Sequence, residues 1–280
     1  MDRMAPRISI VTPSYNQARF LEKTIRSVLD QEYPNLEYIV MDGGSDDGSV
    51  EILRRYSNRL TYWGSSRDDG QADAIKRGFT LATGDILGWV NSDDLLLPGS
   101  LEHVAHQFRQ HRGADFLAGG FVPIDENGRV TWCFWPVTPT FERLLLMGFY
   151  VGQQACFWTR RAYDRAGGID PSFNFAMDGD LFLRILRCGK AISTTQLLAC
   201  FRSHGASKSA RLQDVRQTEK ARIEAQWDRP ALLREHGRKV YLGWRPSMIL
   251  RRGPQLLRLW VRYGHLRPWL YREMRPEELL

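Results

Sequence analysis

The chain of 280 residues lacks several features that define whole classes of protein. It has no run of about 18 apolar residues, so the sequence predicts no membrane-spanning helix. The opening stretch MDRMAPRISIVT has no apolar signal-peptide core, and we expect no secretory signal. The four cysteines are scattered and form no C-x-x-C pair, which is typical of reduced core residues in a cytosolic protein and argues against a cysteine metal site.

Negative charge is scarce at the C-terminal end of the chain. Residues 205–280 hold 17 Lys and Arg against 8 Asp and Glu, whereas residues 1–204 hold 22 against 24. The overall net charge of +7 therefore comes from a basic tail on a nearly neutral body. Such an asymmetry indicates that the tail meets an anionic partner.

Roughly the first hundred residues show a regular alternation of predicted strands and helices. Apolar, β-branched runs predict strands at 8–12, 36–42, 60–65 and 85–90, and helical spacing of apolar residues predicts helices at 18–31, 49–56 and 72–82. This alternation predicts an α/β fold with a parallel sheet covered on both sides. Ligands of such sheets bind beyond the carboxyl ends of the strands.

Residues 101–200 have a less regular pattern. We expect a helix near 99–111, a strand near 115–122, a hairpin turn at 124–130, a helix at 139–148 and another that starts near Asp178. From residue 210 onward the chain is basic and is predicted to be helical.

The loops that follow the first four predicted strands are rich in polar residues. They read TPSYNQ, MDGGSDDGS, SRDDGQAD and NSDD, and three of them carry acids. One interpretation of DGGSDDGS is simply a turn that caps the next helix. Four such loops at successive strand ends favour a shared binding site at one edge of the sheet.

Five motifs, in this order and spacing, resemble family 2 glycosyltransferases of the GT-A fold. They are ISIVTPSYNQ, EYIVMDGGSDDGS, GQADAIKRGF, NSDDLLLPGSL and MDGDLFLRIL, and the match spans roughly residues 7–205. The resemblance implies a Rossmann-like, mostly parallel sheet with helices on both faces, plus a helical, basic C-terminal extension. It implies a catalytic domain at 1–205, with a nucleotide-binding half at 1–100 and an acceptor-binding half at 101–205, followed by the region 206–280.

The same resemblance implies transfer of a hexosyl group from a nucleotide-sugar to an acceptor hydroxyl with inversion. The donor diphosphate calls for Mg²⁺ or Mn²⁺, because a divalent cation offsets its charge. Asp93 matches the metal-binding acid of the family's D-x-D motif, in which Asn91 replaces the first acid. His204, in FRSHGASKS, either completes the metal shell, contacts phosphate, or is structural.

Other positions of the family motifs match residues that hold the donor. Asp42 matches the acid that binds the nucleobase, and Lys76 stands where the family often has Asn and is interpreted as a solvated helix residue. The full set predicted to bind the nucleotide-sugar is Thr12, Pro13, Tyr15, Asp42, Gln71, Asp73, Asn91 and Ser92.

Asp178 matches the family's general base, an acid at the start of a late helix that takes the acceptor proton. Asp180 lies two positions further; it is included among the predicted acceptor or sugar contacts, and its charge also suits the positive start of a helix. Asp94 either orients the acceptor or sugar, or caps the following helix. Gln153 and Gln154 match a segment beside the acceptor pocket, or else form a polar strand edge.

The segment 254–271 places Leu256, Leu259, Trp260 and Tyr263 on one helical face with arginines on another. This pattern is typical of an interfacial membrane helix, and equally of a basic helix packed on the catalytic domain. Membrane contact would suit a lipid-linked glycan acceptor and a peripheral location on the inner face of the cell membrane. No nucleic-acid recognition motif is present, so we expect no nucleic-acid partner.

The donor is predicted only as a class: a UDP-sugar is favoured, and GDP- and dTDP-sugars stay open. The acceptor is expected to be a glycan or a lipid-linked glycan. The expected role is cell-surface polysaccharide synthesis. Two rivals are a non-catalytic nucleotide-sugar-binding subunit and a nucleotidyltransferase. The presence of both Asp93 and Asp178 argues against the first, and TPSYNQARF lacks the Gly-rich basic loop usual in the second.

Overall fold

The computed structural model describes residues 5–148, 150–243 and 253–254. Its N-terminal half alternates strands and helices as the sequence predicts. The strands are β1 (Ile8–Ser14), β2 (Leu36–Asp42), β3 (Tyr62–Ser65) and β4 (Ile86–Trp89), and the helices are α1 (Ala18–Leu29), α2 (Ser49–Tyr56) and α3 (Gln71–Leu81). Predicted and observed bounds differ only at element ends, where local signals are weakest.

The second half contains elements that the sequence pattern did not reveal. In chain order it holds β5 (Leu95–Leu96), α4 (Ser100–Gln110), β6 (Phe116–Ile124), α5 (Phe141–Met147), a 3₁₀ turn (Gln153–Ala155), β7 (Cys156–Thr159), α6 (Arg160–Arg165), α7 (Met177–Cys188), β8 (Ala191–Arg202), α8 (Lys208–Arg211) and α9 (Gln213–Gln226). The predicted turn at 124–130 is confirmed by an antiparallel bridge between Ile124 and Val130. Strands β5, β7 and β8 and helix α6 were not predicted.

The predicted helical character after residue 210 is confirmed by α9 and by a further helix at 229–243. The proposed interfacial segment 254–271 lies outside the described residues, apart from Pro254 at its start. In the part of the chain that the structure describes, no helix combines the length and apolar character that crossing a bilayer requires.

The strands of the described residues form one eight-stranded sheet in the order β3-β2-β1-β4-β7-β6-β8-β5. Strand β1 runs parallel to β2 and β4, and β2 runs parallel to β3. Strand β7 is inserted antiparallel between β4 and β6, whereas β8 runs parallel to β6. The carboxyl ends of β1, β2 and β4 therefore meet at one edge, where the polar loops begin.

Helices cover both faces of this sheet, as predicted. On one face, Ile10 of β1 packs in a cluster with apolar residues of α1, α2 and α4. On the other, Val11 packs in a cluster with residues of α3, α5 and α7. Ile223 of α9 is 1% exposed and belongs to this second cluster. Alternate side chains of a strand point to opposite faces, so β1 is buried on both sides.

Candidate active site

The polar elbow after β4 is held in place from beneath by Thr24 of α1. The fully buried Thr24 hydroxyl lies 2.9 Å from the carbonyl oxygen of Ser92 and 2.8 Å from that of Asp94, and it donates to this pair. Ser92 itself is 5% exposed, so its backbone shapes the elbow while its side chain is largely covered. A buried hydroxyl that serves two carbonyls fixes the path of the loop.

Three amide side chains from separate segments meet at this elbow. Gln71 Nε2 donates to Asn91 Oδ1 at 2.8 Å, and Asn91 Nδ2 lies 3.3 Å from Gln153 Oε1. Gln153 Nε2 in turn donates to the carbonyl oxygen of Trp89 at 2.8 Å. The structure therefore brings together three residues that the sequence analysis assigned to the donor and acceptor sides.

Asp93 and His204 form a pair at the open side of the elbow. Asp93 Oδ2 lies 2.9 Å from His204 Nε2, and the two side chains are 17% and 4% exposed. The carboxylate accepts this bond from the imidazole N–H. In an octahedral Mg²⁺ or Mn²⁺ site with ligands at about 2.1 Å, neighbouring ligand atoms lie about 3 Å apart, so the spacing matches two adjacent positions once the ring proton lies on Nδ1 and Nε2 is free to ligate. Among the described residues, no group of three His, Cys, Asp or Glu side chains gathers to hold a metal.

Arg202, at the end of β8, supports both acids of the elbow. Its backbone N–H donates to Asp94 Oδ1 at 2.8 Å, and its Nε donates to the backbone oxygen of Asp93 at 2.8 Å. The side chain is 2% exposed and its guanidinium lies 4.9 Å from the ring centroid of Phe20. The guanidinium therefore bonds the backbone of the elbow rather than a carboxylate, while burial lowers the pKa of Arg202 against the opposing charges of Asp94 and Asp93.

Asp94 lies beneath the elbow rather than at the start of α4. It is 1% exposed and accepts from Arg202, with a longer contact of 3.4 Å from Asn91 Nδ2. Burial raises the pKa of Asp94 well above its ordinary value, and the charge of Asp93 adds to this effect. Helix α4 receives no side-chain cap at Gly99, so the interpretation of Asp94 as its cap was wrong.

Asp42 is the last residue of β2, and its carboxylate accepts hydrogen bonds from the loop that follows and from the end of β3. It accepts from the backbone N–H groups of Gly44 at 3.1 Å and Ser45 at 2.9 Å, and from the hydroxyls of Ser45 and Ser65, each at 2.6 Å. Three of these bonds end on Oδ2 and one on Oδ1, so Oδ1 keeps one lone-pair position on a carboxylate that is 3% exposed. Contact with a nucleobase stays a prediction.

The end of β1 presents one exposed ring. Tyr15 is 63% exposed, whereas Thr12 and Pro13 are buried. The Thr12 hydroxyl lies 3.0 Å from the hydroxyl of Tyr38, inside the core. Ser14 is also buried, and its hydroxyl has no hydrogen-bond partner among the described residues. Contact of Tyr15 with a nucleobase stays a prediction, and its exposed ring is accessible for it.

The loop after β2 also acts as a helix cap, in agreement with the simpler interpretation of DGGSDDGS. Asp47 accepts from the backbone N–H of Ala18 at the start of α1 and from that of Ser49 at the start of α2, at 2.8 and 3.0 Å. The loops after β1 and β2 are thereby tied together.

Asp73 and Asp180 are bound to arginines of their own helices. Asp73 Oδ2 lies 2.9 Å from Arg77 Nε, and Asp180 Oδ2 lies 2.6 Å from Arg184 Nη2. Asp180 is 2% exposed, so this pair is buried within the fold. Lys76, on the same helix as Asp73, is exposed to solvent as its interpretation required.

Asp178 lies in the first turn of α7 and is half-buried. Its Oδ1 accepts from the backbone N–H of Gly179 at 2.7 Å, which favours the charged form. Burial outweighs this bond and, with the nearby charge of Glu219, raises the pKa of Asp178 to about 6. A carboxyl group with this pKa is poised to exchange protons near neutral pH.

Gln154 lies next to Gln153 but takes no part in the chain of amides described above. It is 3% exposed, and its Nε2 has no hydrogen-bond partner in the described part of the chain. A buried amide donor without a partner is rare and is often explained by a ligand or water.

A profile of the family described as Glycosyl transferase family 2 matches residues 9–167, which contain the first four strands and the elbow. The chain belongs to glycosyl transferase family 2.

This family 2 glycosyltransferase has relatives among bacterial proteins. It is 29% identical over 195 residues to an uncharacterized glycosyltransferase of Mycobacterium tuberculosis, with 64% of this chain and 69% of the relative aligned. It is 25% identical over 220 residues to chondroitin synthase of Escherichia coli, with 77% of this chain aligned. That alignment spans only 32% of chondroitin synthase.

Two solved structures confirm the GT-A fold of the glycosyltransferase. TarS of S. aureus in complex with UDP-GlcNAc has a TM-score of 0.61 at 17% identity, with 73% of this chain and 61% of TarS aligned. The mannosyltransferase PcManGT of Pyrobaculum calidifontis, in complex with GDP-Man and Mn²⁺, has a TM-score of 0.60 at 18% identity. That alignment covers 96% of this chain and 79% of PcManGT.

Sequence reasoning did not assign roles to several residues that support the candidate site, namely Thr24, Arg202, Lys208 and Glu219. Lys208 Nζ donates to the backbone oxygen of Asn174 at 2.8 Å and to its Oδ1 at 2.9 Å. Burial lowers the pKa of Lys208 to about 8, against the opposing charges of Glu219 and Asp68. Arg202 and Lys208 both lie in the motif FRSHGASKS, which was the one available signal for them.

Proposed function

We propose that this glycosyltransferase moves a sugar from a nucleotide-sugar to an acceptor hydroxyl with inversion, and that Asp178 is the general base. The observation that carries the proposal is the environment of Asp178: a half-buried carboxylate at the start of α7, with a pKa of about 6. A base with its pKa near the working pH combines a large deprotonated fraction with useful proton affinity.

The reaction is a single displacement at the anomeric carbon. The acceptor oxygen forms the new bond to this carbon while the bond from the carbon to the phosphate oxygen breaks. The acceptor proton passes to Asp178, and the bonding electron pair leaves with the nucleoside diphosphate. Attack on the face opposite the leaving group inverts the anomeric centre.

The donor side of the site is proposed to form around the elbow. Asp93 and His204 would hold Mn²⁺ or Mg²⁺, which supplies a Lewis acid that offsets the charge of the diphosphate. The bonded amides of Gln71 and Asn91 orient the donor at the edge of the sheet. Tyr15 offers its exposed ring to the base.

A UDP-sugar is the proposed donor, and a glycan or lipid-linked glycan is the proposed acceptor. Both structural neighbours were solved with nucleotide-sugars, one with UDP-GlcNAc and one with GDP-Man and Mn²⁺, which supports this class of donor. The excess of positive charge in residues 205–280 supports work at the cytoplasmic membrane surface, in surface-polysaccharide synthesis.

A panel of nucleotides tests the donor assignment. Thermal unfolding would be followed with UDP, GDP and dTDP, each with Mn²⁺ and with chelator in its place. We expect the largest rise in Tm with UDP and Mn²⁺ together, because a ligand that binds the folded state alone raises its stability. If GDP raises Tm and UDP does not, the donor is a GDP-sugar rather than a UDP-sugar. If the rise in Tm is the same with chelator as with Mn²⁺, nucleotide binding does not depend on the metal.

A further inference from the structure

Glu219 of α9 binds the peptide segment from which the proposed base projects. Its Oε1 accepts from the backbone N–H of Asn174 at 2.6 Å, and its Oε2 accepts from those of Phe175 and Ala176, each at 2.8 Å. These residues directly precede α7, which begins at Met177. The side chain of Glu219 is buried, with 9% of the residue exposed.

Such an arrangement has a clear local cause. The first N–H groups at a helix start have no partner within the helix, and a negative charge there is favoured by the helix dipole. The N-cap residue Ala176 has no side chain that can cap α7, and Glu219 binds its N–H together with those of the two residues before it. Three charge-assisted bonds to one carboxylate restrain the segment strongly.

Helix α9 is itself anchored beside α7. Ile223 is 1% exposed within the core cluster that contains α7, and the Arg222 guanidinium lies 4.1 Å from the ring centroid of Phe173. Trp227 meets the ring of Phe141 edge-on, with centroids 5.1 Å apart. Glu219 is therefore presented by a fixed helix rather than by a free tail.

The charged surroundings couple Glu219 to Asp178. Within the described part of the chain, the ionisable groups of other elements that interact electrostatically with Asp178 are Glu219 of α9 and Cys156 of β7. Burial keeps the thiol of Cys156 neutral by raising its pKa, so Glu219 is the facing charge. Lys208 of α8 is near enough to Glu219 for the two charges to interact, and it donates to the backbone oxygen of Asn174, in the segment that Glu219 also binds.

We propose that Glu219 is a positioning residue for transfer: it fixes the segment 174–176 and so aims the Asp178 carboxylate at the acceptor hydroxyl. The inference rests on the role of Asp178 as base. It makes α9 a part of the catalytic unit, although the family profile ends at residue 167 and the predicted catalytic domain ends at 205.

The variant Glu219→Gln tests this proposal, with Glu224→Gln on the same helix as the matched control. Glu224 is 30% exposed and pairs with Lys220 and Arg229 at 3.8 and 3.4 Å. We expect Glu219→Gln to lower kcat about ten- to hundredfold with donor KM nearly unchanged, because the amide presents a donor to backbone N–H groups and the segment shifts. Glu224→Gln should keep parental kinetics.

The pH profile separates positioning from simple stabilisation. Removing the charge of Glu219 should move the acid limb of kcat/KM to lower pH by about half a unit, since a like charge no longer opposes ionisation of Asp178. A fall in Tm with a parental acid limb and parental kcat would overturn the proposal.

Glu219→Asp covers the case in which Glu219→Gln does not fold. It keeps the charge but is shorter by one methylene, so we expect a reduced kcat with a parental acid limb, and a parental kcat would overturn the proposal. If Asp178→Asn keeps parental turnover, Asp178 is not the base and the role of Glu219 falls with it. If Asp178→Asn loses turnover while Glu219→Gln behaves like the parent, only the role of Glu219 is rejected.

Discussion

Arg202 donates its backbone N–H to Oδ1 of Asp94 at 2.8 Å, and this bond joins the end of β8 to the elbow after β4. The guanidinium of the same residue lies under the elbow and donates to the backbone oxygen of Asp93. Two strands from distant parts of the chain thus shape one loop. His204 follows two residues later, so the register of β8 also places the partner of Asp93.

Replacing Arg202 by methionine should destabilise the protein. The change removes a buried guanidinium that donates to the backbone oxygens of Asp93, Asp125 and Glu126, and a hydrogen bond to a charged group contributes about 1.5–3 kcal/mol. Urea unfolding measures the loss. Arg129→Met, in the exposed hairpin turn, should stay within about 0.5 kcal/mol of the parent. Equal stability of the two variants would contradict the role of Arg202.

Asp93→Asn should abolish Mn²⁺-dependent binding of the donor and leave the fold intact. The amide keeps the shape of the side chain but lacks the charge that a divalent cation prefers. Calorimetric titration of nucleotide-sugar, with and without Mn²⁺, measures the effect, and Asp164→Asn on the surface of α6 serves as the control. Binding as tight as that of the parent in the presence of Mn²⁺ would show that the metal is held elsewhere.

Asp178→Asn should lower kcat by about 10²–10⁴ with little change in donor affinity, because it removes the proton acceptor and keeps the shape. Steady-state kinetics with a defined acceptor provide the measurement. Asp180→Asn is the informative comparison: its carboxylate is paired with Arg184, so this variant should lose stability more than rate. Near-normal turnover of Asp178→Asn would move the base to another residue, with Asp180 and Asp94 tested next.

The difference in stability between the Asp178→Asn variant and the parent should increase with pH. The pKa of Asp178 is raised from 3.8 to about 6 in the folded protein, so its contribution to stability is present below about pH 4 and is lost as the pH rises through 6. The variant should therefore gain about 1–2 kcal/mol over the parent at about pH 8 and almost nothing at about pH 4, allowing for partial exposure of the side chain. Thermal unfolding at both pH values measures this difference. A gain that is the same at both would contradict the raised pKa.

Trp260→Glu tests the proposed membrane contact of segment 254–271. If Trp260 enters the lipid boundary, the variant should leave anionic vesicles while keeping activity on a short water-soluble acceptor. Added salt should weaken parental binding, because the Debye length falls to about 3 Å at 1 M salt. Vesicle sedimentation measures both effects. A collapse in Tm, with no parental vesicle binding, would identify the segment as part of the protein core.

The sequence by itself determined the N-terminal α/β part of the fold, from β1 to β4. The strands and helices from β1 to β4 follow from apolar periodicity within each segment, which depends only on near neighbours in the chain. Polar loops after these strands had to meet at one edge because parallel strands share their direction. The motifs in those loops were also sufficient to indicate the family.

Only the tertiary structure decided how the site is completed. Strands β7 and β8 lack a clear local period, and their place in the sheet depends on pairing with β4 and β6. The motif FRSHGASKS contains Arg202, but its burial and its bonds to Asp93 and Asp94 follow only from the pairing of distant segments. Glu219 lies on a helix of mostly polar residues, and its role depends on contact with peptide groups 43 to 45 residues earlier in the chain. Such contacts follow from packing of distant segments, which no local pattern of residues records.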